Sequence, residues 1–186
     1  AGGTDTQAIA VTVTNVNEAP VNSVPGAQTT SQNATLVFSS ANGNAISIAD
    51  VDAGAAAVQV SLTASNGALT LGGTTGLAFT TGDGSADATM TFSGSVANIN
   101  AALQGLGFAP TAGYTGSATL QITTNDQGNS GSGGALADTD AVTISVTSAS
   151  LWVSSVGSAS VPPGSGGTSW TDGQVVSFGN PNLALG

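Results

Sequence analysis

The 186 residues carry ten Asp and Glu against no Lys, Arg or His, a net charge of −10, and there is no Cys. Nucleic acid and anionic membrane surfaces are therefore disfavoured as partners, since both are gripped mainly by Lys and Arg. Disulfides, thiolate metal sites and lysine cross-links are chemically unavailable. Length alone leaves open one large domain or one repeat with flanking pieces. With 40% hydrophobic but only 4% aromatic residues and 27 Gly, the composition suits short strands joined by tight turns rather than long helices. No apolar run approaches the ~20 residues of a membrane span, and no signal peptide is visible. The pattern opens in mid-strand, which leaves room for a targeting signal upstream.

The first element is a strand that recurs. Asp5–Thr14 (DTQAIAVTVT) matches Asp138–Thr147 (DTDAVTISVT) at an offset of 133 residues, with most positions identical or exchanged only between Ile and Val or Ser and Thr. Both alternate apolar with hydroxylated residues, as half-buried strands do. The match divides the chain into residues 1–16, the closing strand of a preceding repeat or a donor strand; residues 17–150, one complete repeat; and residues 151–186, the start of another module or a docking arm. The first strand is then an orphan, and unpaired strand edges favour completion by another sheet.

Between these ends the expected strands are Thr35–Ser39, Ala45–Ile48, Val58–Ala64, Ala68–Leu71, Ala88–Phe92 and Ala118–Thr124, with Asn42-Gly43 and Asn66-Gly67 as turns that tolerate positive φ. Their spacing predicts an all-β sandwich. One segment breaks the pattern: Ser95–Gln104 has apolar residues at helical spacing behind a Ser able to cap a helix, so one short helix is expected at an end of the sandwich. After Ser150 the character changes, with Trp152, Trp170, the Pro162-Pro163-Gly164 run and a Gly/Ser stretch at residues 164–168.

The linker Val16-Asn17-Glu18-Ala19-Pro20, the segment Ile48-Ala49-Asp50-Val51-Asp52-Ala53-Gly54 and the stretch from Tyr114-Thr115-Gly116 to Asn125-Asp126 together resemble the cadherin-like repeats of giant bacterial surface proteins and RTX-type adhesins. The resemblance spans about residues 5–150. It implies an Ig-like or cadherin-like β-sandwich that is secreted or displayed at the cell surface. Such a unit serves as an adhesive or spacer module beside neighbouring repeats, often stiffened by calcium at the junctions. The chain departs from the pattern at Asn17-Glu18, where stronger calcium sites carry Asp.

Calcium takes six to eight oxygen ligands drawn from carboxylates, carbonyls and water. The candidate ligands are Glu18 in the linker, the Asp50/Asp52 pair, Asp126 after a strand, and Asp138 with Asp140 before the closing strand. Within a strand, residues two apart share a face, so either Asp pair could grip one ion. The alternative is that these carboxylates end strands and turns in water. Asp83–Asp87 lacks the regular ligand series of an EF-hand and reads as a hairpin turn. Asn33-Ala34-Thr35 fits the N-glycosylation pattern, which is common by chance.

Without His, Cys or Lys, the usual bases and activated nucleophiles are missing, and the spacing of the carboxylates does not suggest a glycosidase pair. The sequence thus points to a non-enzymatic structural role. Two other roles stand beside the spacer: a filament subunit that self-associates into fibres by strand donation, and a carbohydrate- or ice-binding module that uses Thr-rich faces or the two Trp residues.

Overall fold

A computed structural model describes residues 2–148; the expectations for residues 151–186, including both Trp residues, lie outside them. In chain order the elements are β1 (Val21–Ser23), β2 (Gln28–Ser31), β3 (Leu36–Phe38), β4 (Ser47–Ala49), β5 (Ala57–Ala64), β6 (Gly67–Thr70), β7 (Ala78–Thr81), β8 (Thr89–Ser95), α1 (Val96–Leu103), β9 (Leu106–Pro110), β10 (Gly116–Asn125) and β11 (Ala137–Thr147). The protein is all-β with one short helix, as expected.

A six-stranded sheet runs in the order β2-β11-β10-β5-β8-β7, a three-stranded sheet in the order β3-β9-β6, and β1 pairs with β4 alone. All neighbours are antiparallel except β11 with β2, which align Ile144 to Gln28 in parallel. Alternation sets which residues meet. Val58, Val60 and Leu62 of β5, Met90 and Phe92 of β8, Leu120 and Ile122 of β10, and Val142, Ile144 and Val146 of β11 point inward, where they join Phe38, Leu69, Leu106 and Phe108 from the smaller sheet in one buried core. Each such side chain contributes about 1.5–3 kcal/mol on leaving water. The outward face carries hydroxyls, which pair across strands at Ser61–Thr91, 2.9 Å, and Thr123–Thr139, 3.0 Å.

Helix α1 covers one end of the core. The Ser95 hydroxyl accepts from the Asn98 amide at 3.3 Å, as its capping role requires, and Ile99, Ala102 and Leu103 are buried beneath. Asn100 holds β4 against the helix: its Oδ1 accepts from the Ile48 amide at 2.8 Å and its Nδ2 donates to the Ile48 carbonyl at 2.9 Å. Asp83–Asp87 is a turn between β7 and β8, where Asp87 accepts from the Asp83 and Gly84 amides at 3.0 and 2.9 Å. Asn33 is exposed with φ 62°, and its side-chain oxygen accepts from the Gly113 amide.

The recurring segments end up in different surroundings. Asp138–Thr147 forms most of β11, whereas residues 5–14 pair with no strand and lie exposed.

Candidate metal centre at the linker

The linker residues Asn15–Glu18 run along the loop joining β10 to β11. Asn15 accepts from the Ser132 amide at 2.8 Å, and the Asn17 amide donates to the Ser132 carbonyl at 3.1 Å. The two segments approach so closely that a Cβ on Gly131, which has φ +104°, would lie 2.5 Å from the Asn17 nitrogen. Only glycine combines that backbone conformation with that clearance.

Asp126, at the end of β10 and 1% exposed, ties this arrangement together. Its Oδ1 accepts from the Gly128 and Leu136 amides, each at 2.8 Å, which closes the loop at both ends. Its Oδ2 accepts from Asn17 Nδ2 at 2.7 Å, and the same Nδ2 donates to the Gly134 carbonyl at 3.0 Å. Desolvation raises the Asp126 pKa, but the three donors outweigh it and hold the carboxyl below its ordinary value.

Asp50 and Asp52 do not lie on a strand, so alternation does not bring them together. They follow β4 in a turn, where Asp50 Oδ1 accepts from the Asp52 and Ala53 amides at 2.9 and 3.0 Å. Asp52 instead turns to the linker, accepting from the Glu18 amide at 2.6 Å and from Asn15 Nδ2 at 3.1 Å. Its carbonyl accepts from the Ser130 hydroxyl at 2.8 Å, which joins this turn to the β10–β11 loop.

The Glu18 and Asp52 carboxyls also act on each other's titration. A hydrogen bond to Asp52, reinforced by the negative charges of Asp52 and Asp50, pushes the Glu18 pKa up; the Glu18 amide, then the Glu18 carboxyl and Asn15, pull the Asp52 pKa down. Two carboxylates about 5 Å apart repel by roughly 0.8 kcal/mol even in water, and this chain has no basic side chain to place between them.

Two side-chain acceptors are left without donors: Asn17 Oδ1 and Asp50 Oδ2 are buried and unpartnered. An unpaired buried acceptor costs about 1–3 kcal/mol. Both oxygens are of the kind calcium prefers, so the residues present suit that ion. Among the described residues, however, no three carboxylates form a metal-holding group by themselves. A bound ion would need amide and carbonyl oxygens as well.

The structure ties Glu18 to Asp52 through the Glu18 amide and Asp126 to Asn17, but among the described residues it gathers no three of the candidate carboxylates into a metal-holding group. It separates out Asp138 and Asp140. Asp138 stands opposite Thr124 across the β10–β11 ladder, where its Oδ2 accepts from the Asn22 amide at 2.7 Å while the Thr124 hydroxyl donates to Asn22 Oδ1 at 2.6 Å. This trio fixes β1 to the sheet. Asp140 stands opposite Ile122 in the same ladder. Asn15 and Asn17 were not among the candidate ligands, although Asn17 belongs to the linker motif Val16-Asn17-Glu18-Ala19-Pro20 and Asn15 lies just before it.

Among the described residues no helix is long and apolar enough to cross a membrane. No protein-family model matches the chain, and no curated protein matches it.

Proposed function

We propose that this chain is a structural module of an extracellular adhesin or fibre, braced by calcium where the linker meets the sandwich. The carrying observation is the bond of the Glu18 amide to the Asp52 carboxylate, supported by the buried, unpartnered oxygens of Asn17 and Asp50, in a chain whose own side chains supply no cation. Glu18 and Asp52 would offer carboxylates to the ion, with amide and carbonyl oxygens of the linker and water completing its shell. The ion would supply the positive charge that lets Glu18 stay ionised and would fix the linker to the turn after β4. Asp126 keeps a positioning role, since its oxygens already accept from three donors. Without His, Cys or Lys, any base or nucleophile would have to come from the carboxylates and hydroxyls alone.

Extracellular calcium modules bind the ion with dissociation constants of about 10⁻⁴–10⁻³ M, so millimolar calcium should raise the melting temperature and a chelator should lower it. The Glu18→Gln variant makes the test specific. Because the Glu18 pKa is raised in the fold, the stabilising, protonated state is complete below its unfolded value and is lost as pH rises through the folded value. At neutral pH without metal, E18Q should therefore melt above the parent, yet gain less from calcium. Identical melting of the parent in calcium and in chelator would remove the metal from the proposal.

A further inference from the structure

The two matching segments lie in opposite surroundings. In β11, Val142, Ile144 and Val146 are 1%, 0% and 2% exposed. At the corresponding places of the earlier segment, Ile9, Val11 and Val13 are 86%, 79% and 88% exposed. Same-face apolar side chains at period 2 are the mark of a strand with one buried face, and here that face meets only water. The seat such a strand needs is already defined by β11: Val142, Ile144 and Val146 stand opposite Leu120, Ala118 and Gly116 of β10, and the end of the strand runs parallel to Gln28–Ser31 of β2. Within this sandwich that seat is filled.

We infer that Asp5–Thr14 is the closing strand of a second module of the same fold, placed immediately before this one, in which Ile9, Val11 and Val13 take the positions of Val142, Ile144 and Val146. The partner is thus a copy of this sandwich, and the contact is a complete strand rather than a surface patch. The register follows from the offset, with Ile9 opposite the equivalent of Leu120. Directly after Thr14, Asn15 and Asn17 bond to Ser132, so the strand that closes one sandwich leads with no intervening slack into the linker held by the next. Pulling on such a tandem loads main-chain ladders at both ends of the linker. This inference rests on the reading of the chain as a stacked module, but not on calcium.

The test extends the full chain at its N-terminus with a second copy of residues 15–133, so that Asp5 falls where Asp138 falls in the added module. Amide hydrogen exchange at Ile9–Val13 should slow by at least about 100-fold relative to the unextended chain, in calcium and in chelator alike. Unchanged exchange at these amides in a folded extension overturns the inference. Should the added module fail to fold, a second variant decides: D140Q/V142I/T143A/I144V/S145T places the earlier sequence in the β11 seat of the full chain. A cooperative melt within a few degrees of the parent supports equivalence of the two strands, and loss of folding refutes it. Concentration-dependent dimers of the unextended chain with the same amides protected would assign the strand to another molecule and overturn the tandem arrangement. Coincident melts in calcium and chelator, with protection retained, would defeat the metal and leave the strand.

Discussion

Replacing Asp126 with Ala is expected to destabilise the sandwich by about 2–4 kcal/mol and to free the linker. The carboxylate is the common acceptor of the Gly128 and Leu136 amides and of Asn17 Nδ2, and its removal leaves buried donors without partners, each costing about 1–3 kcal/mol. The loss falls on the β10–β11 loop and on Asn15–Glu18 together, because both are seated through the same side chain. For a domain of this size the melting temperature should fall by roughly 5–15 °C, and Asn17 and Leu136 should lose amide protection before the centre of β10 does. The same carboxylate gives a pH dependence of definite sign. Its pKa is lowered in the fold, so its contribution is complete above the unfolded value near 3.9 and disappears as pH falls through the folded value. D126A should remove that part of the acid transition. A variant as stable as the parent, with an unchanged acid limb, would mean that the loop is held elsewhere.

Phe108→Ala should cost more, about 3–5 kcal/mol, with a fall in melting temperature of roughly 10–20 °C. Phe108 is fully buried on β9, the central strand of the smaller sheet, opposite Leu36 of β3 and Leu69 of β6. Its ring occupies the space above Gly67, where a Cβ would come within 2.4 Å of it. No neighbour on β6 can fill the void left by truncation at that point. Phe108→Leu retains most of the volume and should cost much less, which separates loss of packing from damage to β9. Equal melts for F108A and the parent would show that the smaller sheet does not share the core with the larger one.

How far the sequence foretold this architecture depended on each strand's alternation. β5, β10 and β11 alternate strictly and were expected within two residues of their observed ends, and the Ser95 cap and helical spacing located α1. β2 escaped because Gln28–Ser31 is wholly polar: an edge strand alongside β11 needs backbone pairing more than an apolar face. β9 escaped for the opposite reason, since Leu106, Gly107 and Phe108 are consecutively buried and a Gly and a Pro in five residues speak against a strand. β1 is a short strand whose partner β4 lies 26 residues on, Asn22 opposite Ile48, which local pattern does not reveal, and β7 is a short, mostly exposed edge strand with no apolar alternation to mark it.

At the linker, residue type and motif marked Glu18, the Asp50/Asp52 pair and Asp126 as separate candidate ligands. They were not enough to place Asp138 with Asn22, because that depends on the β10–β11 register, nor to show that Asp50 spends one oxygen on its own turn. Asn17 is the instructive omission. Being neutral, it drew no attention as a ligand, yet it is buried, bonds to Asp126 and leaves its oxygen free.

The most direct measurement is a calorimetric titration of calcium into the full chain at neutral pH, beside the Asp52→Asn variant. The account predicts saturable binding in the submillimolar to millimolar range, weakened at least about tenfold in D52N, since that change removes charge from the contact with Glu18. Absence of binding heat together with unaltered melting in millimolar calcium, or equal affinity in D52N, would contradict it.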